Sequence, residues 1–240
     1  MPGCSVGQGY DMSSTQISQA ELIKLVIVRF LVVLLALSAM FFLPAGTWAY
    51  WEAWVYLAIL FIPVFFVLIY LLKNEPELLV RRMRLREKEA QQKLIIKLSY
   101  IPFLLAYLLP GFDKRFGWSN VPVWVIVAAD ILVLLGYGLI VLVFRENRYA
   151  SRIVEVEQGQ AVISSGPYAV IRHPMYLGAI LLYVLSPLAL GSYWAMIPSI
   201  LIIPVIVARI WNEESVLVRD LKGYQEYMQK TRYRLIPGLW

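Results

Sequence analysis

Apolar runs of membrane-spanning length, separated by short connections that carry nearly all the charge, constrain this 240-residue chain most. A hydrocarbon core of roughly 30 Å needs about 20 helical residues to cross it. Runs close to that length fall at residues 23–43, 51–72, 94–109, 122–144, 174–190 and 193–211. With 60% of its residues hydrophobic and 16% charged, the chain has more apolar surface than a water-soluble core absorbs. Eight Trp, fifteen Tyr and ten Phe suit helices that end at headgroup level. The expected fold is all-α: a polytopic transmembrane protein of about six spans. The last two spans are separated only by Gly191-Ser192 and read as a tight membrane hairpin over residues 174–211. Seventeen residues in its first arm give about 25 Å, so that arm is expected to stop short of the far surface.

Orientation follows from the basic residues, because short cytoplasmic loops retain Lys and Arg. Of the 22 basic residues, only Lys114 and Arg115 fall in a connection that six spans with both ends inside would place outside. Arg81, Arg82, Arg84, Arg86, Lys88 and Lys93 crowd one connection, residues 73–93, whose interspersed glutamates predict a solvated, partly helical interfacial segment. Both termini are therefore expected to be cytoplasmic. The formal charge of +6 is accounted for by topology; it does not form the exposed basic face that nucleic acid requires. Cys4 is the only cysteine, which excludes an internal disulfide and a cysteine metal site, and no metal is expected. No apolar run precedes it, so a lipoprotein signal is not expected. Residues 1–20 read as a mobile polar tail, residues 21–145 as the N-terminal membrane helices, and residues 146–240 as the region that carries chemistry.

Within that last region, Gly166-Pro167-Tyr168 and Arg172-His173-Pro174-Met175-Tyr176-Leu177-Gly178 place a turn and then a basic pair at the start of a membrane helix. Proline suits the first helical turn, so His173 is expected near the cap and Pro174 as the opening residue. Arg209-Ile210-Trp211-Asn212-Glu213-Glu214 stands at the end of the other arm, with Arg209 and Glu213 four apart on one helix face, spaced to pair. A tight hairpin makes the start of one arm and the end of the other neighbours. Arg172, His173, Tyr176, Arg209, Glu213 and Glu214 are thus expected to converge at one mouth of the helix pair, where ionisable groups at a membrane boundary indicate a site.

These motifs, with Gly223-Tyr224 and Tyr227, resemble the isoprenylcysteine carboxyl methyltransferase family and the related phospholipid methyltransferases. The resemblance covers roughly residues 147–240. It implies S-adenosylmethionine as methyl donor and a lipid-embedded acceptor, either an isoprenylcysteine-like carboxylate or a lipid amine. Carried over to this chain, it points to Tyr168, Arg172, His173, Pro174, Tyr176, Gly178, Glu213 and Glu214 as cofactor-binding and to Arg209 and Glu213 as catalytic. It also implies that the tail Arg232-Tyr233-Arg234-Leu235-Ile236-Pro237 folds back over the cofactor. Arg209 would orient a carboxylate acceptor, and Glu213 would help deprotonate an amine. Two other readings stay open: a sterol-reductase-like membrane enzyme using NADPH, and a transport or scaffold subunit. Against the second, the charges gather at one mouth and do not line a midplane path. The oligomeric state is left open, since no sustained small-xxx-small face argues for a dimer.

Overall fold

The architecture comes from a computed structural model, which describes residues 18–83, 90–150, 156 and 159–240. Residues 1–17 of the expected tail, and Arg84, Arg86 and Lys88 of the basic connection, lie outside the described residues. Within them, regular structure is helical throughout: α1 Gln19–Ala45, α2 Trp51–Asn74, α3 Pro76–Met83, α4 Ala90–Phe116, α5 Val123–Glu146, a 3₁₀ turn Gly166–Ala169, α6 Pro174–Ala189, α7 Met196–Ile200, α8 Ile202–Asp220 and α9 Tyr224–Lys230.

Local chemistry sets the ends of α1. Ser18 accepts from the Glu21 amide at 3.2 Å while the Glu21 carboxylate accepts from the Ser18 amide at 3.0 Å, a reciprocal cap for two free donors. At the other end Gly46, at φ +65°, closes the helix onto the Phe42 carbonyl. Along its length α1 turns large side chains outward, and Leu35 is 68% exposed. A water-soluble helix would bury that face; here lipid covers it.

Among the described residues, five helical stretches are long and apolar enough to cross a membrane: Gln19–Ala45, Trp51–Asn74, Gln92–Phe116, Val123–Glu146 and Met196–Asp220. The run at 174–190, counted above as a sixth span, forms the 16-residue α6, about 24 Å long and short of the bilayer core. The other hairpin arm, expected at 193–211, starts at Met196, breaks at Leu201 between α7 and α8, and continues to Asp220. The connection at 73–93 differs as well, because α3 is docked. Leu78 and Leu79 are each 1% exposed in a cluster with Leu22, Val26, Leu71 and Val143, and Arg29 donates to the Met83 carbonyl at 2.6 Å.

Two devices hold the helices together where lipid removes the hydrophobic incentive to associate. The first is close backbone approach. A Cβ on Gly178 of α6 would lie 2.7 Å from the Gly136 carbonyl oxygen of α5, and one on Gly136 would lie 2.9 Å from the Gly178 oxygen. The second is buried polar contact. The Tyr56, Tyr107 and Ser186 hydroxyls of α2, α4 and α6 meet in the interior, with Tyr107 at 3.3 Å from each of the other two. At the hairpin turn, the Asp113 carboxylate accepts from Ser119 and Ser192, Tyr50 donates to the Leu190 carbonyl at 2.7 Å, and Lys114 pairs with Glu52 at 2.9 Å. This far end fixes the turn that brings the two hairpin feet together.

Candidate active site

At the opposite end, Gly166 begins the local folding of the site. Its φ of +55° favours glycine, and a Cβ there would come within 2.6 Å of the Glu146 side chain at the end of α5. The resulting 3₁₀ turn delivers Arg172 and His173 to the start of α6, where His173 is the N-cap residue and Pro174 occupies the first helical position. The Arg172 and His173 amides donate to the Tyr233 and Arg234 carbonyls, both at 2.9 Å, so the C-terminal tail is stitched alongside this cap.

Beneath the cap lies a buried ion cluster centred on Glu214. One carboxylate oxygen accepts from Arg172 Nε at 2.7 Å and lies 3.1 Å from His173 Nε2; the other accepts from Arg234 Nε at 2.8 Å. Arg172 donates further to the Thr231 and Arg232 carbonyls at 2.9 and 2.7 Å. With the Arg172 and Glu214 side chains only 4% and 6% exposed, the pair is desolvated, which such a cluster tolerates because its donors and acceptors are matched.

A second arrangement adjoins it. The Tyr176 hydroxyl accepts from Arg209 Nε at 2.8 Å and donates to Glu213 Oε2 at 2.5 Å. The two residues expected to pair along one helix face are thus bridged by a phenol from the neighbouring arm. Gln92 of α4 secures α8 here, donating to the Arg209 carbonyl at 3.2 Å and to Asn212 at 2.8 Å.

These groups border a cavity of about 120 Å³ that opens to solvent. Of the residues singled out in the sequence, Tyr168, Arg172, His173, Pro174, Tyr176, Arg209 and Glu213 line it. Glu214 and Gly178 do not: the first has both oxygens engaged in the ion cluster, and the second is pressed against α5. Nor does the tail 232–240 line the cavity. Leu235 packs with Ile202, Ile206 and Ile210, so the tail braces the cap from behind. Sequence reasoning passed over Asn147, Tyr149 and the stretch Gln160–Ile163, and named Tyr224 and Tyr227 only among the motifs of the family resemblance; all of them line the wall. Tyr224 and Tyr227 had a signal, their three-residue spacing after Gly223; the stretch 160–163 had none. Burial pushes the Tyr227 phenol up to about 12 and raises those of Tyr168 and Tyr224 still further, so all three remain neutral donors at physiological pH.

Residues 124–222 match the family model of phospholipid methyltransferases. The match begins one helix before the motifs, at α5, and contains both hairpin feet, the Tyr176 bridge and most of the cavity wall. No curated protein matches the chain. Among solved structures it is similar to the eukaryotic intramembrane Ras methyltransferase ICMT (isoprenylcysteine carboxyl methyltransferase), solved without a monobody, at 16% identity, with 93% of this chain and 94% of that chain covered and a TM-score of 0.47. With its apolar helices and a segment that matches the phospholipid methyltransferase family model, the chain is a multi-pass integral membrane protein.

Proposed function

We propose that this protein is a membrane methyltransferase that moves a methyl group from S-adenosylmethionine to a lipid-embedded acceptor. The observation that carries the reading is the cavity at the foot of the hairpin, within the phospholipid methyltransferase segment, where Tyr176 holds Arg209 and Glu213 together beside the apolar run of α8. The lining suits the cofactor. It offers aromatic faces from Tyr168, Tyr224 and Tyr227, a carboxylate on Glu213 for positive groups, and a buried phenol on Tyr224 with no hydrogen-bond partner among the described residues. When bound, S-adenosylmethionine supplies a methyl carbon already activated on a sulfonium, so the protein's task is alignment and exclusion of water more than acid or base strength.

The residues divide that task by depth. Arg209 stands one turn closer to the apolar run than Glu213, so it faces the side from which a lipid acceptor arrives. Its planar guanidinium orients an isoprenylcysteine-like carboxylate; for a lipid amine, Glu213 takes the proton instead. Both termini and the site face the cytoplasm in this reading, and nucleic acid is no partner.

Labelled S-adenosylmethionine, offered to the detergent-solubilised protein with prenylcysteines, aminophospholipids and total membrane lipid, tests the proposal. Transfer to one class is expected. If that class is a carboxylate, Arg209→Lys should slow turnover by roughly 30- to 1000-fold, the effect of losing about 2–4 kcal/mol from one oriented charged contact in a dry site. Absence of transfer to every acceptor, or preferential binding of a nicotinamide nucleotide, overturns the assignment.

A further inference from the structure

Tyr224 and Tyr227 stand three apart on α9, with ring centroids 5.7 Å apart, and both line the cavity. Their hydroxyls have different circumstances. The Tyr227 hydroxyl donates to the Tyr168 carbonyl at 2.7 Å and so ties α9 to the 3₁₀ turn. Tyr224 is 4% exposed, and its buried hydroxyl has no hydrogen-bond partner among the described residues. A phenol withdrawn from water without a partner costs the folded protein free energy, and such a cost persists where the group is needed for something else. Phenylalanine would fill the same space without that cost.

We propose that the Tyr224 hydroxyl is a ligand-binding group, the hydrogen-bond partner of a polar atom of the cofactor held in this cavity, while Tyr227 serves as the positioning residue that sets α9 against the turn. The assignment rests on the S-adenosylmethionine reading given above. Glu213, Glu214 and Arg172 provide the charged surroundings of the phenol. A neutral group that both donates and accepts suits a polar ligand atom in such surroundings better than another fixed charge.

The two tyrosines control for one another. Calorimetric titration of the full-length, detergent-solubilised protein with S-adenosylhomocysteine, together with thermal melts without ligand, should separate them. Tyr224→Phe should weaken binding by roughly 3- to 10-fold, the effect of one neutral hydrogen bond, while its ligand-free melting temperature stays equal or rises by roughly 2–4 °C. Tyr227→Phe should lower the ligand-free melting temperature, because it removes the shorter hydrogen bond to the Tyr168 carbonyl and leaves only the longer one from Thr231 at 3.4 Å. Unchanged affinity in Tyr224→Phe overturns the inference, as does a ligand-free destabilisation matching that of Tyr227→Phe. A parent protein that binds no S-adenosylhomocysteine, with Tyr224→Phe still more stable than the parent, overturns the cofactor reading and with it the ligand named here, yet leaves the phenol's lack of a partner confirmed.

Discussion

Glu213 and Glu214 are adjacent in sequence, and helical geometry sends them to different work. Glu214 is the hub for Arg172, His173 and Arg234, whereas Glu213 faces the cavity with one oxygen on Tyr176. Neutralising the hub strands the nearly buried Arg172 charge, and breaking a buried pair from one side costs about 3–5 kcal/mol. Glu214→Gln should therefore lower the melting temperature by something on the order of 10 °C. Glu213→Gln keeps an acceptor for the Tyr176 hydroxyl and strands no buried cation, so its melting temperature should stay near that of the parent while methyl transfer falls. Thermal melts and turnover measured on both variants check this division, and a stable Glu214→Gln protein would show that the cluster does not hold the site. The sequence displayed the Glu-Glu pair and placed it at the hairpin foot. It could not show which carboxylate turns inward, because that depends on a tail about 20 residues downstream, where Arg234 supplies the third donor.

The presence of helices of membrane-spanning length and the turn near Gly191-Ser192 were legible, because hydrocarbon thickness demands such helices; helix ends, individual lengths and crossing faces were not. Helix α4 runs past its apolar stretch through Asp113, Lys114 and Arg115 because Ser119, Ser192 and Glu52 satisfy Asp113 and Lys114. Those partners lie on other elements, beyond the reach of a pattern read along one strand of sequence. Helix α8 similarly extends through a charged segment that hydropathy alone would assign to a connection. Gly178 carries the same lesson, for it sits within the motif that the family resemblance links to the cofactor and yet occupies the crossing of α5 and α6. A Cβ there would meet the Gly136 carbonyl and Ile140 at 2.7 Å, and backbone cannot yield as a side chain does. Gly178→Ala should push the helices apart at a cost of about 1–3 kcal/mol. Gly138→Ala, on the same helix as Gly136 with nothing within 4 Å of the added carbon, should be neutral or gain up to about 1 kcal/mol of helix propensity. Melting curves of the two proteins in one detergent check the contrast; equal curves would mean that the crossing is not tight.

Across the whole molecule, the two ends have separate duties. The hairpin-turn end is closed by short polar contacts, and the other end gathers the ion cluster, the Tyr176 bridge and the cavity. Convergence of Arg172, His173, Tyr176, Arg209 and Glu213 was legible because the short connection about Gly191-Ser192 folds the second arm back along the first. The wall from Gln160 to Ile163 was not, since a short stretch without charge or periodicity leaves no trace of where it packs. This division of ends also bears on orientation. Alternation of the helices puts the α2–α3, α5–α6 and α8–α9 connections on the cavity side, and among the described residues every Lys and Arg except Lys114 and Arg115 belongs to that half or to the helix portions leading into it. Lys114 is partly neutralised by Glu52, which leaves Arg115 as the main cation near the far surface. On the retention of Lys and Arg in short cytoplasmic connections we propose that the cavity faces the cytoplasm, the side from which a charged, membrane-impermeant cofactor would enter. Single cysteines in a Cys4→Ser background test it at two exposed positions, Lys222→Cys beside the cavity and Asn120→Cys at the hairpin-turn end. In intact cells an impermeant maleimide should label Asn120→Cys and spare Lys222→Cys, and permeabilisation should make the second reactive. Labelling of Lys222→Cys in intact cells would invert the molecule, place the cavity outside and remove its access to a cytoplasmic methyl donor.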